Sequence, residues 1–294
     1  MAQLHGRQPG FRFVHAKGIV CTGTFTPLPQ AASISRAAHL QGTPTNIQVR
    51  FSDGATDPAI ADMAPEATPR GMAIRFLLPG GNATDIVAMS TNGFVVASGE
   101  DFLALQKSIV ATDPAKPHPW PVEEFIGSHP RAMAFVAPKP VPTSFATEAF
   151  FGNNAFVFVN KEGRKQPGRY QIVPIAGRQT LDPAMANFQS QDFLFDELKS
   201  RLQSTPAQYR LLVQLPNPGD STSDSSMPWP SDRKTIELGT ISVTAVVPDS
   251  AAAEKVLAFD PAKLTDGIEF SDDPLPALRS SVYHIAAKAR RELR

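Results

Sequence analysis

The sequence predicts an α+β fold: an antiparallel, eight-stranded β-barrel with flanking helices and one long helix at its C-terminal end. Three observations support this. Proline supplies 28 of the 294 residues, well above the usual ~5%, which disfavours a helical bundle and favours short elements joined by stiff turns. Eight segments have strand character, and only three have helical spacing. No composition break divides the chain, so one domain over 1–294 is expected, with the barrel over about 11–250 and the final helix over about 274–294.

The strands follow in order. His15–Phe25 is a candidate with internal glycines. Asn46–Ser52 alternates, with Ile47, Val49 and Phe51 on one face and Gln48, Arg50 and Ser52 on the other. Gly71–Leu78 and Asp85–Ser90 flank Pro79-Gly80-Gly81-Asn82, a turn signal, and read as a hairpin. Ala155–Asn160, Arg169–Ile175, Tyr209–Leu215 and Ile236–Val247 complete the eight. Eight strands in a proline-rich chain suit an antiparallel barrel better than a parallel α/β sheet. Helices are expected over Glu100–Ala111, Gln191–Gln203 and Pro276–Arg294; in the second, Leu194, Leu198 and Leu202 form one stripe. Asp113–Pro121, with four prolines, and Pro216–Asp232, rich in Pro, Ser and Asp, read as surface linkers.

Composition excludes several functions. Lys plus Arg and Asp plus Glu both number 28, so the formal charge is zero and nothing draws nucleic acid or anionic lipid from a distance. The one cysteine, Cys21, rules out an internal disulfide framework and a multi-cysteine metal site. No run of ~18 apolar residues predicts a membrane span. Met1–Gly10 has no apolar leader core, so a cytoplasmic setting is expected, or a periplasmic one if a leader was removed from a longer precursor. The six histidines form no H-x-H or H-E-x-x-H spacing: His5 lies in a polar terminus, His39 in a polar stretch, and His118 and His129 beside prolines. The chain also has no G-x-S-x-G, Walker loop or G-x-G-x-x-G.

Two segments remain. Arg12-Phe-Val-His15-Ala-Lys-Gly18 places a histidine at the start of a strand, where it could equally be a satisfied structural residue. On the last helix, Arg279 lies four residues before Tyr283, and Arg290 seven after it, on one face. That face could lie against a planar ligand, or it could be a basic helix end complementing the dipole. A guanidinium one turn from a phenol stabilises the phenolate, and a tyrosinate is the proximal haem ligand of catalase-type iron.

Read together, these segments resemble the haem catalase superfamily and, within it, the short catalase-related peroxidases. The resemblance runs in order through RFVHAKG, Val49-Arg50-Phe51-Ser52, Pro69–Phe76, Asp85-Ile86-Val87, Gly152–Gly163, Phe259-Asp260-Pro261 and Arg279-x-x-x-Tyr283. It implies a catalase-like barrel with a proximal haem helix. It implies haem b with ferric iron held by Tyr283, and Arg279 as the charge partner of that tyrosine. His15 would be the distal acid/base, with its ring held by Ser52. Arg12, Arg50 and Arg290 would hold the haem propionates, and Phe102 would pack in the distal channel. Arg12 and His15, three apart, cannot share a strand face, so a bend between them is expected. One position departs from the pattern: catalases carry a distal asparagine where this chain has Met89, and Asn92 lies three residues later. A flexible apolar Met89 disfavours hydrogen peroxide dismutation and favours bulkier hydroperoxides. The implied activity is reduction of organic or lipid hydroperoxides, with hydrogen peroxide as a further substrate, through a ferryl state and a small-molecule reductant. Catalase activity and an allene-oxide-synthase-like fatty-acid hydroperoxide isomerase are the alternatives, and a homodimer is expected by analogy.

Overall fold

A computed structural model describes residues 9–292. His5 and the last two residues of the expected C-terminal helix lie outside the described residues. The strands are β1 (Gly18–Pro27), β2 (Thr45–Ser52), β3 (Gly71–Leu77), β4 (Ala83–Met89), β5 (Phe150–Phe151), β6 (Phe156–Val159), β7 (Lys165–Pro174), β8 (Ala207–Gln214), β9 (Thr235–Val246) and β10 (Ile268–Phe270). Eight of them close an antiparallel barrel in the order β7-β5-β4-β3-β2-β1-β9-β8, with β8 returning to β7. Closure leaves the ring no free edge.

The number of barrel strands is as expected, but one member differs. Ala155–Asn160 contains β6, which pairs with the first half of β7 and with β10 in a side ladder outside the ring. Its place in the ring is taken by the two-residue β5, bridging Met89 of β4 to Gln171 and Ile172 of β7. The Gly71–Ser90 hairpin forms, with its turn at Pro79–Gly81.

Alternation on β2 sends Ile47, Val49 and Phe51 into the barrel, where they are essentially fully buried. Phe51 meets Phe145, Phe150 and Tyr209 at ring-centroid distances of 5.2, 6.1 and 6.3 Å, and the Tyr209 hydroxyl donates to the Phe145 carbonyl at 2.8 Å. The interior is thus a packed core and not a lumen. Cys21 belongs to it; burial pushes its thiol up to about 12, so it is inert. His39 is also in the core, 4.5 Å from the Phe76 ring, and not on the polar surface that its sequence neighbours suggest. Burial draws its pKa down to about 3.

Seven helices flank the barrel among the described residues: α1 (Ala31–Ile34), α2 (Gly99–Ala111), α3 (Pro121–Ser128), α4 (Pro130–Val136), α5 (Phe193–Arg201), α6 (Ser250–Val256) and α7 (Leu275–Glu292). The three expected helices appear as α2, α5 and α7: α2 and α7 each begin one residue earlier than expected, and α5 is two residues shorter at each end. In α5, Leu194 and Leu198 are fully buried. Helices α3 and α4 each begin at a proline in the first turn; proline there starts a helix as readily as it marks a loop. The 113–119 stretch is exposed as expected. The 216–232 loop is not a solvated linker. Trp229 is 2% exposed beneath the Arg169 guanidinium, which donates to the carbonyls of Met227 and Asp224 at 2.6 and 2.8 Å.

Candidate active site

His15 sits just before β1, in the left-handed region with φ of 56°. This is the expected bend, and it lies in the approach to the strand, which begins only at Gly18. The segment is held against the β2–β3 connection, where the His15 and Ala16 amides donate to the carbonyls of Gly54 and Ala55. Lys17 anchors it below through Asp62 at 2.5 Å, Asp192 at 2.6 Å and the Ile60 carbonyl at 2.8 Å. The His15 ring is thereby presented to Ser52, with Nδ1 3.1 Å from Oγ. Burial and the charge of Arg50, then those of Arg12 and Arg279, draw its pKa down to about 4, against the pull of the Asp53 carbonyl. The ring is therefore neutral at ordinary pH, with Nε2 left to serve a ligand.

Ser52 starts a row across the sheet. It pairs with Gly71 of β3, and Gly71 pairs with Met89 of β4. Directly opposed residues project to one face, so Met89 lies on the face of Ser52, roughly 10 Å away across two strand spacings. Asn92 lies beyond β4 and is exposed. Gly71 must be glycine for the row to work: a Cβ there would lie 2.6 Å from Ser52 Oγ and 3.1 Å from His15 Nδ1. Gly71→Ala is therefore expected to break the Ser52–His15 bond and cost ~1–3 kcal/mol by overpacking. A lowered Tm with slower peroxide turnover checks this.

Arg50 leaves β2 on the face away from the barrel core. It donates from Nε to Glu254 at 2.6 Å and from NH2 to the His15 carbonyl at 2.8 Å. Gly18 makes room for it; a Cβ at Gly18 would lie 2.2 Å from the Arg50 guanidinium. Arg12 also donates to the Glu254 carboxylate, and to the Leu257 carbonyl at 2.9 Å. Arg290 donates to the carbonyls of Lys255 and Leu257 at 3.2 and 2.7 Å. Three arginines from distant parts of the chain thus gather at the C-terminal end of α6, where free carbonyls attract cations. Burial and the crowding of like charge bring Arg12 down to about 9 and lower Arg290 as well.

On α7, Tyr283 and Arg279 meet as the spacing predicts. Arg279 donates to the phenol oxygen from NH2 at 2.9 Å and from Nε at 3.2 Å, an arrangement that an anionic oxygen accepts best. Two partners escaped the sequence reading. Arg279 NH1 donates to Asn154 Oδ1 at 2.5 Å, and Asn154 Nδ2 donates to Asp273 Oδ2 at 2.8 Å. Asp273 also caps α7 through the Leu275 amide at 2.8 Å. The chain Asp273–Asn154–Arg279–Tyr283 fixes the direction of the phenol. Only the side-chain cap two residues before Leu275 was readable locally; Asn154 lies 125 residues from Arg279.

Phe102 stands apart from the polar groups, on α2, with its ring 5.5 Å from Phe94 in a small apolar cluster with Val95, Val96, Leu105 and Ala132. Leu278 of α7 reaches the start of this helix, where a Cβ on Gly99 would meet it at 2.4 Å.

These residues suit a haem. A phenol oxygen under a guanidinium is a ligand for a hard ferric ion, and buried arginines suit its two carboxylates. Similarity to known proteins gives the family. The family model described as Catalase matches residues 4–292. The chain is 36% identical to a catalase-related peroxidase of Mycolicibacterium paratuberculosis, covering 97% of this chain and 90% of that one. It is 33% identical to a catalase-related peroxidase of Synechococcus elongatus, covering 97% and 85%. A fungal catalase structure superposes with a TM-score of 0.84 at 19% identity, over 98% of this chain and 61% of its own. A bacterial catalase gives 0.82 at 21% identity, over 99% and 60%. The chain thus spans about three-fifths of the solved catalases it matches.

The family model and the relatives, not the barrel alone, set the class: a catalase-like haem peroxidase, an oxidoreductase. The chain belongs to the catalase family. No described helix is long and apolar enough to cross a membrane.

Proposed function

We propose that the protein is a haem b peroxidase that reduces organic hydroperoxides, taking two electrons from a small-molecule reductant. What supports this reading is the Tyr283 oxygen held by Arg279 on its Asn154–Asp273 support, with the charge of the same Arg279 acting on the Ser52-bound ring of His15. Haem b, when bound through Tyr283, supplies the iron at which the O–O bond is cleaved. Arg12, Arg50 and Arg290 hold its carboxylates. His15, neutral at ordinary pH, accepts at Nε2 the proton of the incoming ROOH and returns it to the departing RO oxygen, giving ROH. The net reaction, ROOH with two protons and two electrons giving ROH and water, draws both electrons from the reductant. Ser52 and Gly71 keep the ring in place while the proton moves.

Met89, on the Ser52 face where the resemblance places a polar asparagine, favours a substrate with an apolar body. The haem-supplied protein is expected to change its visible spectrum on one addition of cumene hydroperoxide and to recover with a reductant. Rapid oxygen release from hydrogen peroxide, with no response to cumene hydroperoxide, would replace this reading with a catalase. Restoring the polar group by Met89→Asn is expected to raise the ratio of hydrogen peroxide to cumene hydroperoxide turnover about tenfold, the worth of one hydrogen bond.

A further inference from the structure

The arginine cluster holds a carboxylate of its own. Glu254, on the last turn of α6, accepts from Arg12 through Oε2 and from Arg50 through Oε1. Its side chain is 14% exposed, against 16% for Arg12 and 5% for Arg50. Arg290 is 5% exposed and is fixed to the next carbonyls of the same segment. Two buried guanidiniums, one half-buried one and one carboxylate leave two positive charges uncompensated by side chains within the group. A ligand carrying two carboxylates neutralises that excess. A ligand carrying one either leaves a charge over or merely exchanges with Glu254.

We infer that Glu254 is a resident counter-ion of this site, competing with the carboxylates of the incoming ligand for Arg12 and Arg50. The inference rests on the haem reading above, but concerns a residue to which that reading gives no role. Glu254 keeps Arg12 and Arg50 in place before the ligand arrives. Each N–H that it occupies must be surrendered or shared when a ligand carboxylate enters. Desolvated charge pairs of this kind are strong locally, but part of their energy is spent against whatever replaces them.

Glu254→Gln separates these two effects. The uncomplexed variant is expected to lose several degrees of Tm, since Arg12 and Arg50 lose the carboxylate that both are bonded to. Its affinity for metal-free mesoporphyrin, a dicarboxylate, is expected to rise about tenfold, followed by quenching of porphyrin fluorescence. Its affinity for mesoporphyrin dimethyl ester, which has no charge to compete, is expected to change less than twofold. A purely structural role would lower Tm without separating diacid from diester. Glu254→Asp keeps the charge but withdraws it by one methylene; its diacid affinity is expected to lie between those of the wild type and Glu254→Gln, and it serves if Glu254→Gln does not fold. Unchanged or weaker diacid binding in the variants, with good binding in the wild type, overturns the role of Glu254 and leaves the haem reading standing. No diacid binding in any of the three proteins overturns both.

Discussion

Tyr283→Phe is expected to lower the retention of haem by roughly two orders of magnitude or more and to shift any residual absorption bands, since it deletes the phenol oxygen that Arg279 holds and that we propose as the iron ligand. The ring remains, so the packing of α7 changes little, and the loss reports the ligand and not the fold. A haem titration followed in the visible region, with a thermal melt of the uncomplexed variant beside it, tests this. An unaltered spectrum with full occupancy would remove Tyr283 from the ligand position. The support behind it gives a graded companion: Arg279 would still bond the phenol without Asn154, but nothing would fix its direction.

His15→Ala is expected to keep haem and its ferric bands while peroxide cleavage falls ~10²–10⁴-fold, the range for loss of a positioned acid–base group. A full rate in stopped-flow mixing with a hydroperoxide would remove His15 from the mechanism. The wild-type rate is expected to stay level from pH 8 to pH 5 and to fall as the pH nears about 4, where the ring takes up its own proton. Stability follows the same group. The folded value lies below the unfolded value near ~6.5, so the unfolded chain binds more protons between the two. The contribution of His15 is therefore complete above 6.5 and is lost as the pH falls from 6.5 through about 4. His39, held at about 3 by burial, acts in the same direction. Urea midpoints at pH 7 and pH 4.5 should differ less in His15→Ala than in the wild type.

Much of this was legible because it is written in short periods. The alternation of Asn46–Ser52 separates Phe51, which enters the core, from Arg50 and Ser52, which face the site. The four-residue step from Arg279 to Tyr283 is one helical turn, and the two side chains meet. The parity conflict between Arg12 and His15 correctly required a bend, which is the left-handed φ of His15. What was missed lacks a period. The two-residue β5 is too short to alternate, so from sequence the longer β6 beside it reads as the barrel strand. Asn154 and Glu254 gain their meaning only from residues more than a hundred positions away. His39 is surrounded in sequence by polar residues but in space by Phe25 and Phe76, and tertiary packing overrode local composition. The 216–232 loop reads as polar because its order comes from Arg169, on another strand.

The bonds from Arg12 and Arg290 to one carbonyl, that of Leu257, have a consequence for biosynthesis. Arg12 reaches it across 245 residues of sequence, and Arg290 across 33. Ribosomes deliver Arg12 and His15 before the barrel strands and the Tyr283 helix after them. The barrel strands are all synthesised by Val246, so the β-ring can close on the nascent chain while the site is still half missing. The Tyr283 oxygen proposed above as the iron ligand joins the site only once α7 has emerged, so haem capture through it follows synthesis of every barrel strand.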